Sequence, residues 1–208
     1  MIIGWKTPLT ALLGMVLLGA TSPSGCGTGS KSAASSSRDG NMPGPSGARP
    51  LDLKARLSSF KETPPIVTTG RGTFKAQVSA DGTSIAYELT YDALEGVANG
   101  GAVTGAHIHI GHLNAAGGIA IPLCGGASNP CPMPPADLTG TLTSADVPGL
   151  AAQGIGQGDL AEVIQAIRRG LTYANVHTTA FPSGEIRGQI IPGEPRAGED
   201  EHEEDDSH

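Results

Sequence analysis

The chain has 208 residues, with 20 acidic side chains against 13 basic ones and a net charge of −7. Without a surplus of Lys and Arg to neutralise phosphates it is not a nucleic-acid binder. Aromatics at 3% and 31 glycines suit short, tightly turned strands better than a bulky enzyme core. No phosphate-binding glycine loop and no nucleophile–base arrangement is visible.

Residues 1–26 read as a targeting segment. Lys6 gives a positive start, and Leu9–Ala20 is an apolar run shorter than the about 20 residues a spanning helix needs. Ser24-Gly25-Cys26 then has the form of a bacterial lipoprotein signal, with Pro23 where a leucine-like residue is usual. In such signals the cysteine takes lipid and becomes the new N-terminus. The alternatives are a secretory signal cleaved near Ala20 or Gly25, and an uncleaved anchor. The expected address is therefore the cell envelope, held to a membrane by lipid on Cys26, or secretion. Three cysteines are an odd number for an oxidising compartment. With Cys26 lipidated, Cys124 and Cys131 remain to form a disulfide across the turn-rich stretch between them. A metal-binding thiolate pair is the other use for them.

Gly27–Pro50 is dominated by Gly, Ser, Ala and Pro and cannot offset the entropy of ordering. A flexible linker is expected over 27–65. At the other end, Glu194–His208 carries eight acidic residues and one basic one, a like-charge run that stays disordered. This acidic tail, 193–208, reads as a solubilising segment or as a weak cation trap with His202 and His208.

The residues between are enough for one compact core. Thr73–Ser79 and Ser84–Tyr91 alternate in polarity on either side of Asp81-Gly82, which predicts a hairpin. Ala106-His-Ile-His-Ile110 predicts a strand with His107 and His109 on one face and Ile108 and Ile110 on the other. Further strands are expected at Ile119–Leu123 and Leu138–Leu142. Leu160, Val163, Ile164, Ile167 and Leu171 fall at helical spacing. Asp159 and Glu162 make a capping-box pattern, Arg168 and Arg169 suit the C-terminal dipole, and Gly170 suits the left-handed position after it. Last comes a second hairpin, Tyr173–Ile190, turning at Pro182-Ser-Gly184. Pairing about Phe181 would set His177 against Glu185, Asn175 against Arg187 and Tyr173 against Gln189. Val176, Ile186 and Ile190 would join Ile108 and Ile110 in the core.

Two of these segments carry a resemblance. Ala106–Gly111 with Gly117–Leu123, followed by the Tyr173–Ile190 hairpin, resembles the CHRD domain, named for the repeated domain of chordin and found in bacterial envelope proteins. The resemblance spans roughly Ile66 to Ile191 and gives the domain the bounds 66–192. It implies an extracellular, mainly β fold: a single antiparallel β-sandwich with one short amphipathic helix. It implies no reaction. The cysteine-bearing insert at Cys124–Cys131 departs from the usual pattern.

Parity puts His107, His109 and His177 on one side of the sheet, with the polar residues Asn175, Glu185 and Arg187 beside them. Three readings follow. Three imidazoles with room between them would bind copper or zinc, giving an exported metal-binding, even redox-active, protein. Imidazoles occupied by carbonyls or by Glu185 would make a hydrogen-bonded structural patch. An exposed patch would meet an envelope or extracellular protein partner. The domain is expected to be a binding or structural module with no evident catalytic activity, and metal binding is the alternative.

Overall fold

The computed structural model describes residues 49–193. The targeting segment with Cys26, the linker as far as residue 48, and the acidic tail from 194 lie outside the described residues. Among the described residues no helix is long and apolar enough to cross a membrane.

The domain is mainly β. Its strands are β1 (Leu51–Ser58), β2 (Arg71–Val78), β3 (Ile85–Asp92), β4 (Val103–Ile110), β5 (Ile119–Gly125), β6 (Ala136–Leu142), β7 (Thr172–Thr178), β8 (Ile186–Gln189) and β9 (Ile191–Pro192). One helix, α1 (Leu160–Arg168), precedes β7. The strands form one antiparallel sheet in the order β5-β4-β7-β8-β1-β2-β3-β6, with β9 also paired to β1. The sheet curls on itself. Tyr87 of β3 donates to the Leu123 carbonyl of β5 at 3.4 Å, although six steps of the strand order separate those two strands. The sandwich-like core thus lies inside one continuous sheet. Phe74, Val78, Ile85 and Leu89 face Ala106, Ile108, Ile121, Val176 and Ile186 there, all essentially inaccessible.

The expected linker does not reach residue 65. Leu51, Leu53, Ala55 and Leu57 point inward while Asp52, Lys54 and Arg56 point out, the period-two pattern of a half-buried strand. This strand pairs along its full length with β2. The Gly- and Pro-rich composition that argues for a linker stops at Pro50.

Helix α1 buries Leu160, Val163, Ile164 and Ile167. Asp159 Oδ1 accepts the Glu162 amide at 3.0 Å. The return half of the capping box is not made, because the Asp159 amide donates to the Gly156 carbonyl instead. Gly170, at φ +68°, ends the helix: its amide reaches the Ile167 carbonyl and that of Leu171 reaches Ala166, a Schellman stop. Cys124 and Cys131 are joined in a disulfide, which removes the alternative of a thiolate metal pair. The intervening loop is tied by the Gly125 amide to the Asn129 carbonyl at 2.7 Å.

Candidate functional site

β4 and β7 lie side by side, with Gly105 opposite His177, His107 opposite Asn175 and His109 opposite Tyr173. Alternation places His107, His109 and His177 on one face, and the three rings gather there. Ring centroids are 5.5 Å apart for His107 and His109, 4.9 Å for His107 and His177, and 5.7 Å for His109 and His177. Gly105 makes room, since a Cβ there would lie 2.7 Å from His107 Cε1.

One ring nitrogen from each histidine lies within 4.8 Å of the other two. His109 Nδ1 is 3.0 Å from the Gly117 carbonyl, and His177 Nδ1 is 3.0 Å from the Pro182 carbonyl. A carbonyl only accepts, so each Nδ1 carries the proton and each Nε2 holds a lone pair. Those Nε2 atoms and His107 Nδ1 are buried without any hydrogen-bond partner. Thr172 Oγ1, Asn175 Oδ1 and Gln189 Oε1 likewise find no partner in the protein; what sets the three rings apart is that their orphaned nitrogens adjoin one another. Burial, reinforced by the neighbouring imidazoles, pushes His107 down to about 4. Burial pushes His109 down to about 4 as well, against the opposing pull of the Gly117 bond, and lowers His177. All three rings are neutral at pH 7, the form that ligates metal.

Beside the trio the polar face continues. Tyr173 stacks on His109, with centroids 4.8 Å apart and planes 8° from parallel. The Arg187 guanidinium covers Tyr173 at 3.5 Å, a cation–π contact. Arg187 is 2% exposed and donates to the carbonyls of His112 and Ala115 at 2.9 Å each. Asn175 donates to both oxygens of Glu62, at 3.2 and 3.3 Å. Burial raises Glu62 to about 7, although Asn175 and Arg187 both favour its charged form.

The expected neighbours therefore divide. Asn175 and Arg187 lie on the face of the trio, and their cross-strand pairing is as expected, as is that of Tyr173 with Gln189. Glu185 does not lie there. The paired ladder ends at Val176 and Ile186, and the chain bends at Gly184, φ +127°. Strict alternation stops with it. The Glu185 carboxylate turns to the side of Thr178, accepting the amides of Glu95 and Gly96 at 2.6 and 2.9 Å and the Thr178 hydroxyl at 2.8 Å. Neither His177 nor either partner histidine meets it. His112 is exposed and stands outside the trio, contributing a backbone carbonyl to Arg187. Glu62 is the polar neighbour that sequence reasoning missed. It falls in a stretch without periodicity, and no local signal marks it.

Three nitrogens held at about 2.0–2.1 Å from one tetrahedral ion sit about 3.4 Å from each other. The nitrogens of the trio lie within 4.8 Å of one another, wider than that spacing, so the donor set fits a metal and the rings would have to close on it. Three imidazoles suit copper or zinc, and a three-ligand site leaves a fourth position open.

No curated protein and no solved structure matches this chain. The CHRD domain family matches residues 53–190, a span that takes in β1 from Leu53 onward and reaches to the end of the second hairpin. With well over half its length in that match, the chain belongs to the CHRD domain family.

Proposed function

We propose that this CHRD domain is an exported metal-binding module in which His107, His109 and His177 hold a copper or zinc ion. One observation carries the reading: each of the three rings presents a buried nitrogen with no protein partner, and one nitrogen from each ring lies within 4.8 Å of the others. The carbonyls on His109 and His177 fix the tautomers and aim the remaining lone pairs, as outer-shell partners do in metal sites. A purely structural patch accounts for those two carbonyl bonds and leaves the three orphans unexplained. Family membership brings no reaction with it, so the reading is of a binding module.

The address belongs to the same proposal. The apolar run before Ser24-Gly25-Cys26 supports a lipid anchor on Cys26, and so does the pairing of the other two cysteines with each other. Replacing Cys26 by Ser should release the protein from membranes; a wild-type protein that is soluble and lipid-free would end that part of the proposal.

Metal content measured by mass spectrometry tests the site, on protein purified from cells without a histidine tag. About one equivalent of copper or zinc is expected, as for a single site. His107→Ala and His177→Ala should each abolish it while circular dichroism stays unchanged. Protein that is isolated metal-free and takes up neither ion on titration would overturn the reading.

A further inference from the structure

Away from the histidines, a cleft of about 600 Å³ runs over the outer side of β1 and β2. That volume falls within the range of small-molecule sites. Leu113 and Ile191 form apolar walls and are 64% and 55% exposed, so the cleft leaves aliphatic surface in water. Its rim is cationic: Lys54 and Arg56 project from β1, Lys75 from β2 and Lys61 from the turn after β1. Lys61 Nζ is held at the rim by the Arg56 carbonyl at 2.6 Å. Lys75 lies 3.3 Å from Glu88. Neither ion pair found among the described residues involves Lys54 or Arg56.

An apolar trough whose edge carries Lys54 and Arg56 outside both of those ion pairs selects a ligand with both characters. We infer that the cleft binds a long-chain fatty-acid anion. Its chain lies against Leu113, Ile191 and the methylene stems of the lysines, and its carboxylate meets Lys54, Arg56 and Lys61. The acidic segment after Gly193 offers charge complementarity. It carries only Pro195 and Ala197 as apolar side chains, so it would leave the walls uncovered. The site is independent of the histidine trio and stands or falls without it.

The test uses the full chain with Cys26→Ser, so that no acyl group of its own is present, and palmitate labelled with ¹³C at the carboxyl, below micelle formation. A single saturable bound resonance is expected. Lys54→Glu with Arg56→Glu should weaken binding about tenfold or more, the equivalent of about 1.4 kcal/mol. Leu113→Ser with Ile191→Ser should weaken it similarly, and methyl palmitate should not compete. All four positions are at the surface, so folding is preserved. Absence of saturable binding, or indifference to the charge reversals, overturns the inference. So does binding only to anionic vesicles. A full chain in which Glu199, Asp200, Glu201, Glu203, Glu204, Asp205 and Asp206 are changed to their amides should bind palmitate unchanged; a gain of about tenfold would make the acidic segment the occupant and overturn the assignment.

Discussion

Glu62→Gln should stabilise the domain at alkaline pH and leave it unchanged in acid. Glu62 is 6% exposed, and burial raises its carboxyl from 4.5 to about 7. A carboxyl with a raised folded pKa holds its proton more tightly folded than unfolded. Its contribution to stability is complete below the unfolded value, declines as pH rises, and is lost above the folded value. At about 1.4 kcal/mol per pH unit, the shift amounts to about 3 kcal/mol. Glutamine keeps the shape and an acceptor for Asn175, and nothing on it ionises. The Arg187 attraction that the substitution removes is already counted in the raised pKa. The histidine trio acts with the opposite sign, since lowered imidazole pKas cost stability as pH falls from 6.5 toward about 4. That effect cancels in the difference between variant and wild type. Urea unfolding with chelator present, at about pH 4.5, 6 and 8, should give a difference growing from near zero to about 3 kcal/mol. A difference independent of pH, or a variant less stable at alkaline pH, would refute the reasoning.

Because burial lowers all three imidazoles, His107 and His109 to about 4, the fall of zinc or copper affinity with acid should set in at a lower pH than for ordinary imidazoles; competition titrations showing a decline that sets in near 6.5 would contradict this. Cys131→Ser should cost at most about 2–3 kcal/mol in chain-entropy terms for so short a loop, and reduction of the wild type should reproduce that loss in urea unfolding. Glu185→Ala strips the acceptor from the Glu95 and Gly96 amides and the Thr178 hydroxyl. It should cost about 1–3 kcal/mol per group left unsatisfied. Metal uptake should be untouched, and a loss of metal there would mean that the carboxylate serves the trio.

Alternation along a strand is a local property, and what depends on it alone was legible. The hairpin register at Asn175–Arg187 and Tyr173–Gln189 followed from the turn, and the faces of His107, His109 and His177 followed from parity. Ile108, Val176, Ile186 and Ile190 are buried as expected, while Ile110, at the end of its strand, is half-buried. Legibility failed where the chain leaves the ladder. Glu185 follows a bend that alternation does not encode. Glu62 reaches Asn175 from 113 positions away, a contact created only by the placing of β1 beside β8 and β7 in the sheet. β1 is a different matter: Leu51, Leu53, Ala55 and Leu57 alternate plainly, but they follow directly on a stretch rich in Gly, Ser and Pro, whose composition argues against order.

The place of β1 has a consequence for the timing of folding. It is the first strand to be synthesised, yet in the sheet it lies between β2 and the last strands, with Ser58 paired to Arg187 and Leu53 to Pro192. Its second edge stays open until the C-terminal hairpin arrives, and pairings so distant along the chain are slow to close. A nascent domain therefore cannot complete its core while its last strands are still in the ribosome, and folding of the whole sheet waits for the end of its synthesis.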